Sequence, residues 1–240
     1  MGSIPVPIAA SAPAVPNPIS LRLWSSRSTA LSIRHLAALA VSVVALALSG
    51  PAAAEYGFKD LLREPGAPRI GAVDADVTVV VYGDYNCGYC KRMEPVLAQA
   101  LKSDRRLAVV HKEWPIFGEV SEHAARVALA ATYQGQYEAV HRALILSPTR
   151  LSDKTMVEAI ARQSGVDWPR LIRDLKAHAD DIDAILARNE REATLLRFQG
   201  TPGLVINGYL YPGALSDEQL KELVQKIRAK AAKAAKPPSA

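Results

Sequence analysis

The chain has 240 residues, of which 49% are hydrophobic, so it can bury a packed core and extended disorder is not expected. Its formal charge of +5 falls to +2 without residues 1–54, because those hold three of the 29 Lys and Arg and none of the 24 Asp and Glu. So small an excess does not indicate a nucleic-acid partner, and 2 cysteines are too few for a framework of structural disulfides.

Residues 1–54 have the order of a secretory leader. Arginines are followed by an apolar run over 36–48 and then by small residues that end at Ala54. The run is shorter than the roughly 20 residues that a membrane-spanning helix needs, which disfavours the alternative of an anchor. We therefore predict a signal peptide that is cleaved near Ala54 and a periplasmic protein that begins at Glu55.

A strand, a helix and a second strand are predicted next. The run Val77–Val81 is short, apolar and β-branched, which is typical of a strand buried on both faces. It leads into Cys87-Gly88-Tyr89-Cys90, after which apolar residues recur at helical spacing, with Pro95 expected to kink the helix early. A strand over 107–113 completes a βαβ unit of the kind that builds parallel sheets. The cysteines therefore lie at the joint between a strand and a helix.

In residues 116–199 the apolar residues recur at helical spacing, and this stretch is predicted to be helical almost throughout. Ser152 is the predicted cap of one helix and Asp167 of the next, and a long helix is expected from about 180 to 198. This stretch is an all-helical insert in the pattern of strands.

Strand residues return after Thr201. Asn207-Gly208 lies between two short apolar runs and indicates a hairpin, because both central residues of its turn need positive φ. Ser216 and Gln219 predict a capping box for a closing helix. A ββα unit therefore follows the insert.

Two cysteines three positions apart allow four interpretations in an exported protein. Zinc would need further ligands, and the histidines of the mature chain are not spaced as ligand pairs, so no metal site is predicted. Covalent haem needs His where this chain has Lys91, and a structural disulfide would close too small a loop to stabilise the fold much. A redox pair is favoured, because a helix N-terminus stabilises the thiolate of Cys87. Cys87 is the predicted exposed nucleophile and Cys90 the more buried resolving thiol.

Three motifs carry a resemblance to a known family. The run Asp84–Lys91 (Asp-Tyr-Asn-Cys-Gly-Tyr-Cys-Lys), then Pro95, and the run Gly200–Gly203 (Gly-Thr-Pro-Gly) resemble the periplasmic DsbA family, in its ScsC-like branch, over about residues 70–235. The resemblance implies an α/β thioredoxin-like fold with an all-helical inserted domain. It also implies a cis peptide bond at Thr201–Pro202 beside the dithiol, where both residues bind an extended substrate strand.

The same resemblance implies a thiol–disulfide oxidoreductase that works without a cofactor. Its expected partners are cysteine-containing exported proteins and a redox partner that recycles the dithiol. The domains expected are a leader over 1–54, an extension over 55–73, the first part of the thioredoxin-like core over 74–115, the helical insert over 116–199, the second part of the core over 200–235 and a tail over 236–240.

Two departures from the family pattern affect the chemistry. Many members have a buried acid six residues before the first cysteine, where this chain has Val81. Glu113, on the neighbouring strand, is the candidate substitute as a proton acceptor, and the alternative is a surface charge at a strand end. The Gly-Tyr pair between the cysteines carries no imidazole, so we expect a milder oxidant than the Pro-His members.

Several functions stay open at this stage. A disulfide donor is expected, and the alternatives are an isomerase or reductase, a Cu(I)-binding protein that uses the same dithiol, and a peptide-binding chaperone. Residues 55–63 are too few for a stable association helix, which needs roughly 12–15 residues. We therefore expect a monomer that donates disulfides better than it isomerises them.

Overall fold

The computed structural model of the protein describes residues 67–235. The predicted leader, its cleavage point near Ala54, residues 55–66 of the extension and the tail over 236–240 lie outside the described residues. In chain order the described elements are β1 (Arg69–Gly71), β2 (Val77–Gly83), α1 (Gly88–Ser103), β3 (Leu107–Glu113), α2 (Glu119–Ala130), a short 3₁₀ helix (Ala131–Gln134), α3 (Tyr137–Ile145), α4 (Lys154–Gln163), α5 (Trp168–Ala177), α6 (Ala179–Leu195), β4 (Gly203–Ile206), β5 (Tyr209–Pro212) and α7 (Asp217–Ala234).

These strands form one mixed sheet in the order β1-β3-β2-β4-β5. The central strands β2 and β3 run parallel, as the predicted βαβ unit requires, and Val79 pairs with Val109. The other three pairings are antiparallel. Every residue of β3 and all of β2 except Gly83 are buried, because helices cover both faces of these strands.

Alternate residues of β2 pack on opposite faces of the sheet. Val79 and Val81 contact the layer formed by α1 and α7, where Met93 and Leu220 are buried. Val80 and Tyr82 face the other way, with Ala193 and Phe198, which lie in and just after α6, among their neighbours. Helix α1 continues through Pro95 to Ser103. The result is a thioredoxin-like fold with helices on both sides of the sheet.

The helical insert packs around a core that it shares with Tyr85, Cys87 and Cys90, and it is hydrogen-bonded to the sheet through α6. Lys112 forms a buried ion pair with Glu192 at 3.1 Å, and the Tyr82 hydroxyl donates to the same carboxylate at 2.7 Å. The side-chain amide of Asn189 donates to the backbone oxygen of Glu113 at 2.9 Å. These contacts, here called the α6 hydrogen bonds, fix the last helix of the insert on the central strands.

Three local expectations need correction. The N-cap of α4 is Asp153, whose carboxylate accepts from the Met156 N–H at 2.8 Å, and not Ser152. Helix α6 ends at Leu195, short of the predicted end, and Arg197 then adopts a φ of 59°. The strand β1 was not predicted at all.

Other local predictions are confirmed. Asp167 caps α5, and Ser216 and Gln219 form the capping box of α7. Asn207 and Gly208 both have positive φ, 44° and 88°, in the turn between β4 and β5. No helix within residues 67–235 is long and apolar enough to cross a membrane.

Candidate active site

The loop between β2 and α1 is held by one buried carboxylate. Asp84 accepts hydrogen bonds from the Asn86 N–H at 2.7 Å, the Phe117 N–H at 3.0 Å and the Ser121 hydroxyl at 2.8 Å. Burial raises the pKa of Asp84, although these donors oppose the change. The loop is therefore fixed both from within and from the start of the insert before α1 begins.

Cys87 is the N-cap residue of α1. Its sulfur accepts a hydrogen bond from the Cys90 N–H at 3.4 Å, and its thiol donates to the backbone oxygen of Thr201 at 3.1 Å. The predicted position of the dithiol at a helix N-terminus is confirmed. The predicted contrast in exposure is wrong: Cys87 is 3% exposed and Cys90 is 6% exposed, with the backbone of Thr201 lying against the first sulfur.

The two thiols differ in acidity instead. The pKa of Cys87 is lowered from 9.0 to about 5, chiefly because the Cys90 thiol donates a hydrogen bond to it, with further help from the Thr201 side chain and from backbone N–H groups of the first turn. The pKa of Cys90 is raised by that same hydrogen bond and by burial. At neutral pH the reduced site therefore holds one thiolate, at Cys87, and one thiol, at Cys90.

Thr201 and Pro202 face Cys87 from the opposite side. Their peptide bond is cis, as the resemblance implied. The Thr201 hydroxyl is buried beside the two thiols, and it lowers the pKa of both. Gly203 follows at the start of β4, where a Cβ atom would come within 2.5 Å of the Phe198 ring, so only glycine fits. The segment is thus packed tightly against the dithiol.

Glu113 is a buried residue and not a surface charge at a strand end. Its Oε1 atom accepts hydrogen bonds from the hydroxyls of Tyr85, at 2.7 Å, and Tyr137, at 2.6 Å. The pKa of each tyrosine is raised well above its ordinary value, chiefly by burial and then by the Glu113 charge. Glu113 and Cys90 line one cavity of about 30 Å³, a volume that suits a single water molecule.

The same cavity is lined by three buried groups that the sequence did not single out: Glu94, His111 and His141. The His111 and His141 rings lie 4.2 Å apart between centroids. Burial alone would lower the pKa of His141, but the hydrogen bonds and charges of Glu113 and Glu94 outweigh burial and raise it to about 9. Burial, together with the neighbouring His141, lowers the pKa of His111 well below its ordinary value.

The sequence carried a weak signal for part of this cluster. Glu94 lies one helical turn after Cys90 and next to the buried Met93, so its charge interrupts an apolar face. His111 interrupts the apolar strand β3 in the same way. His141 gave no signal, because all its hydrogen-bond partners except Tyr137 come from other elements. The histidines are not spaced as ligand pairs in the sequence, but the fold brings His111 and His141 together.

A thioredoxin-like sheet with two cysteines at the start of α1 and a cis proline opposite them defines a thioredoxin-like oxidoreductase domain. A family model described as thioredoxin matches residues 63–226. The chain therefore belongs to the thioredoxin family, and its domain is of the DsbA and ScsC type, as the solved structures below also indicate.

Solved structures similar to this chain share both the fold and part of the sequence. A thioredoxin-like oxidoreductase from Silicibacter pomeroyi is 39% identical with a TM-score of 0.68, over 72% of this chain and 98% of that one. The catalytic domain of Proteus mirabilis ScsC is 32% identical with a TM-score of 0.65, over 71% and 94%. A periplasmic thioredoxin-like protein from Salmonella enterica serovar Typhimurium is 30% identical with a TM-score of 0.62, over 70% and 94%.

The curated relatives that the chain matches are much longer proteins. They are Na(+)/H(+) antiporters, and the chain spans only 32% of one from Salinispora tropica and 24% of one from Salinispora arenicola. These partial matches say nothing of what this chain does.

Proposed function

We propose that the protein donates disulfide bonds to cysteine-containing exported proteins. The observation that carries the proposal is the unequal acidity of the dithiol, with a Cys87 pKa of about 5 and a raised Cys90 pKa. A stabilised Cys87 thiolate favours the reduced form of the protein, so its disulfide is readily given up.

The exchange we propose has two steps. A substrate thiolate attacks the Cys87 sulfur of the Cys87–Cys90 disulfide, and Cys90 leaves with the electron pair and takes up a proton. A second substrate thiolate then attacks the substrate sulfur of the mixed disulfide, and Cys87 leaves as a thiolate. The substrate loses two electrons and gains a disulfide, while the protein ends reduced and needs a redox partner to reoxidise it.

Three further residues have proposed roles in this exchange. Thr201 and Pro202 lie against Cys87, where an extended substrate strand would reach its sulfur. Glu113 is proposed to exchange the proton of Cys90 through the cavity that both residues line. Tyr85 and Tyr137 hold the Glu113 carboxylate in place for this role.

Donation is favoured over isomerisation by the sequence before the domain. An isomerase of this fold commonly presents several active sites around one cleft, and the sequence over 55–63 is shorter than the roughly 12–15 residues that an association helix needs. We propose a monomer in the periplasm, in line with the leader pattern of residues 1–54 and with the similarity to a periplasmic protein.

The test uses two variants in which one cysteine is replaced by Ser. Each variant keeps the other thiol, so each serves as the control for the other. Cys87→Ser should abolish exchange with a disulfide substrate, and Cys90→Ser should accumulate a mixed disulfide through Cys87. Alkylation of the reduced protein at about pH 6 should label Cys87 first. Labelling of Cys90 first would show that the roles are reversed, and efficient refolding of a scrambled disulfide protein by a trimer would contradict the donor proposal.

A further inference from the structure

Three different elements bring metal-ligating side chains to one buried point. Glu94 comes from α1, His111 from β3 and His141 from α3. One ligand atom from each residue can be chosen so that all three lie within 4.8 Å of one another. Around a zinc ion with bonds of about 2.0–2.1 Å, neighbouring ligand atoms lie about 3.3 Å apart, so small side-chain rotations close the site.

The two ring nitrogens of His141 have different hydrogen-bond partners. The Tyr85 hydroxyl donates to Glu113, so its lone pair accepts from His141 Nδ1–H at 2.9 Å. The other nitrogen, Nε2, is hydrogen-bonded to the Oε2 atom of Glu94 at 3.4 Å, and a metal ion between them would replace the shared proton. Metal-bound histidines are held in the same way, with the second ring N–H on a polar partner that fixes the ring. His141 Nε2 and Glu94 are therefore oriented as ligands.

His111 supplies the second observation. It is 94% buried, since its exposed fraction is 6%, and it lines the cavity of about 30 Å³. Its ring contacts Tyr137 and His141, yet within residues 67–235 its nitrogens have no hydrogen-bond partner. A buried imidazole without a polar partner is costly unless something in the cavity binds it. A single cation in the cavity would supply that partner.

The charge of the cluster matches a divalent ion. Both imidazoles must be neutral to bind a metal ion, so the ion would displace the proton that His141 shares with Glu94, and the carboxylates of Glu94 and Glu113 would then face it with two formal negative charges. An ion of charge +2 neutralises them, and a donor set of two imidazoles and one carboxylate suits Zn²⁺ or a similar transition ion better than Mg²⁺ or Ca²⁺.

We propose that Glu94, His111 and His141 form a binding site for a divalent transition-metal ion, separate from the two cysteines, with Tyr85 and Glu113 as the groups that orient His141. The site would keep an open ligand position toward the cavity that Cys90 also lines. The proposal does not depend on the direction of disulfide exchange.

The test is a zinc titration of the purified protein with both cysteines replaced by Ser, which removes the dithiol as a competing ligand. This protein should bind one equivalent of Zn²⁺, measured by competition with a chromophoric chelator, and its thermal midpoint should rise with zinc concentration. Glu94→Gln, His111→Ala and His141→Ala should each weaken binding by at least about 100-fold, and Tyr85→Phe by about 10- to 100-fold. His178→Ala is the matched control, because this partly exposed histidine stacks on Tyr133 away from the cluster, and its affinity should not change.

Glu94→Gln keeps the size of the side chain and guards against a histidine variant that does not fold, and circular dichroism checks each variant. Co²⁺ binding is an independent measurement. Its visible absorption bands should appear with the protein in which both cysteines are replaced by Ser, and they should be absent when the folded protein also carries Glu94→Gln. Absence of zinc binding in the folded double Ser protein would overturn the proposal. Equal affinity in the Glu94→Gln variant and in the His178→Ala control would overturn it as well.

Discussion

The low pKa of Cys87 predicts that the reduced protein gains stability as the pH rises. The folded pKa of Cys87, about 5, lies below the ordinary value of 9.0. The Cys87 thiolate therefore makes its full contribution to the free energy of unfolding above pH 9, and this contribution is lost as the pH falls through 5. From these two pKa values, the Cys87 thiolate stabilises the folded reduced protein by about 2.7 kcal/mol at pH 7 and by less than about 0.5 kcal/mol at pH 5. In the two-electron couple, about 2.7 kcal/mol corresponds to a reduction potential about 60 mV more oxidising than that of a dithiol with ordinary acidity.

The assay is chemical denaturation of the reduced and the oxidised protein between about pH 5 and pH 8. The oxidised protein is the internal control, because every other titrating group is present in both forms. The difference in the free energy of unfolding, reduced minus oxidised, should rise by roughly 2–4 kcal/mol over this range. Reduced Cys87→Ser should show no such rise. A flat difference, or a thiolate absorbance with a midpoint near pH 9, would refute the reasoning.

Other consequences of the structure can be measured directly. Lys112→Met should lower the free energy of unfolding by about 3–5 kcal/mol, because it removes the buried counter-charge of Glu192, and a loss below about 1 kcal/mol in urea denaturation would contradict this. Asp153→Ala should lower the thermal midpoint more than Ser152→Ala does, since only Asp153 caps α4, and the reverse order would reinstate the cap predicted from the sequence. Mass spectrometry of the exported protein should find an N-terminus at Glu55 or within a few residues of it, whereas an intact leader would favour a membrane anchor.

Local patterns predicted the elements that depend on neighbouring residues. The strand over 107–113 matches β3 residue for residue, and the Asn207-Gly208 turn and the Ser216 capping box follow from short-range chemistry. The strand β1 was not predicted, because it has only 3 residues and is formed by pairing with β3, which no local sequence pattern reveals.

The candidate site was predictable only where it is contiguous in sequence. Cys87 and Cys90 lie within one turn, and their placement at the start of α1 followed from the strand before them. The burial of Cys87 depends on Thr201, which reaches it from far along the chain. The pairing of His111 with His141 likewise joins a strand to a helix of the insert, so residue spacing could not show it.

The α6 hydrogen bonds make the helical insert inseparable from the sheet. A chain shortened by residues 116–199 would lose Glu192, the partner of Lys112, and Asn189, the donor to Glu113. Buried polar groups that lose their partners are costly, so such a deletion would not leave a smaller working protein. In hydrogen exchange, the amides of α6 should therefore open together with those of β3, as one cooperative unit.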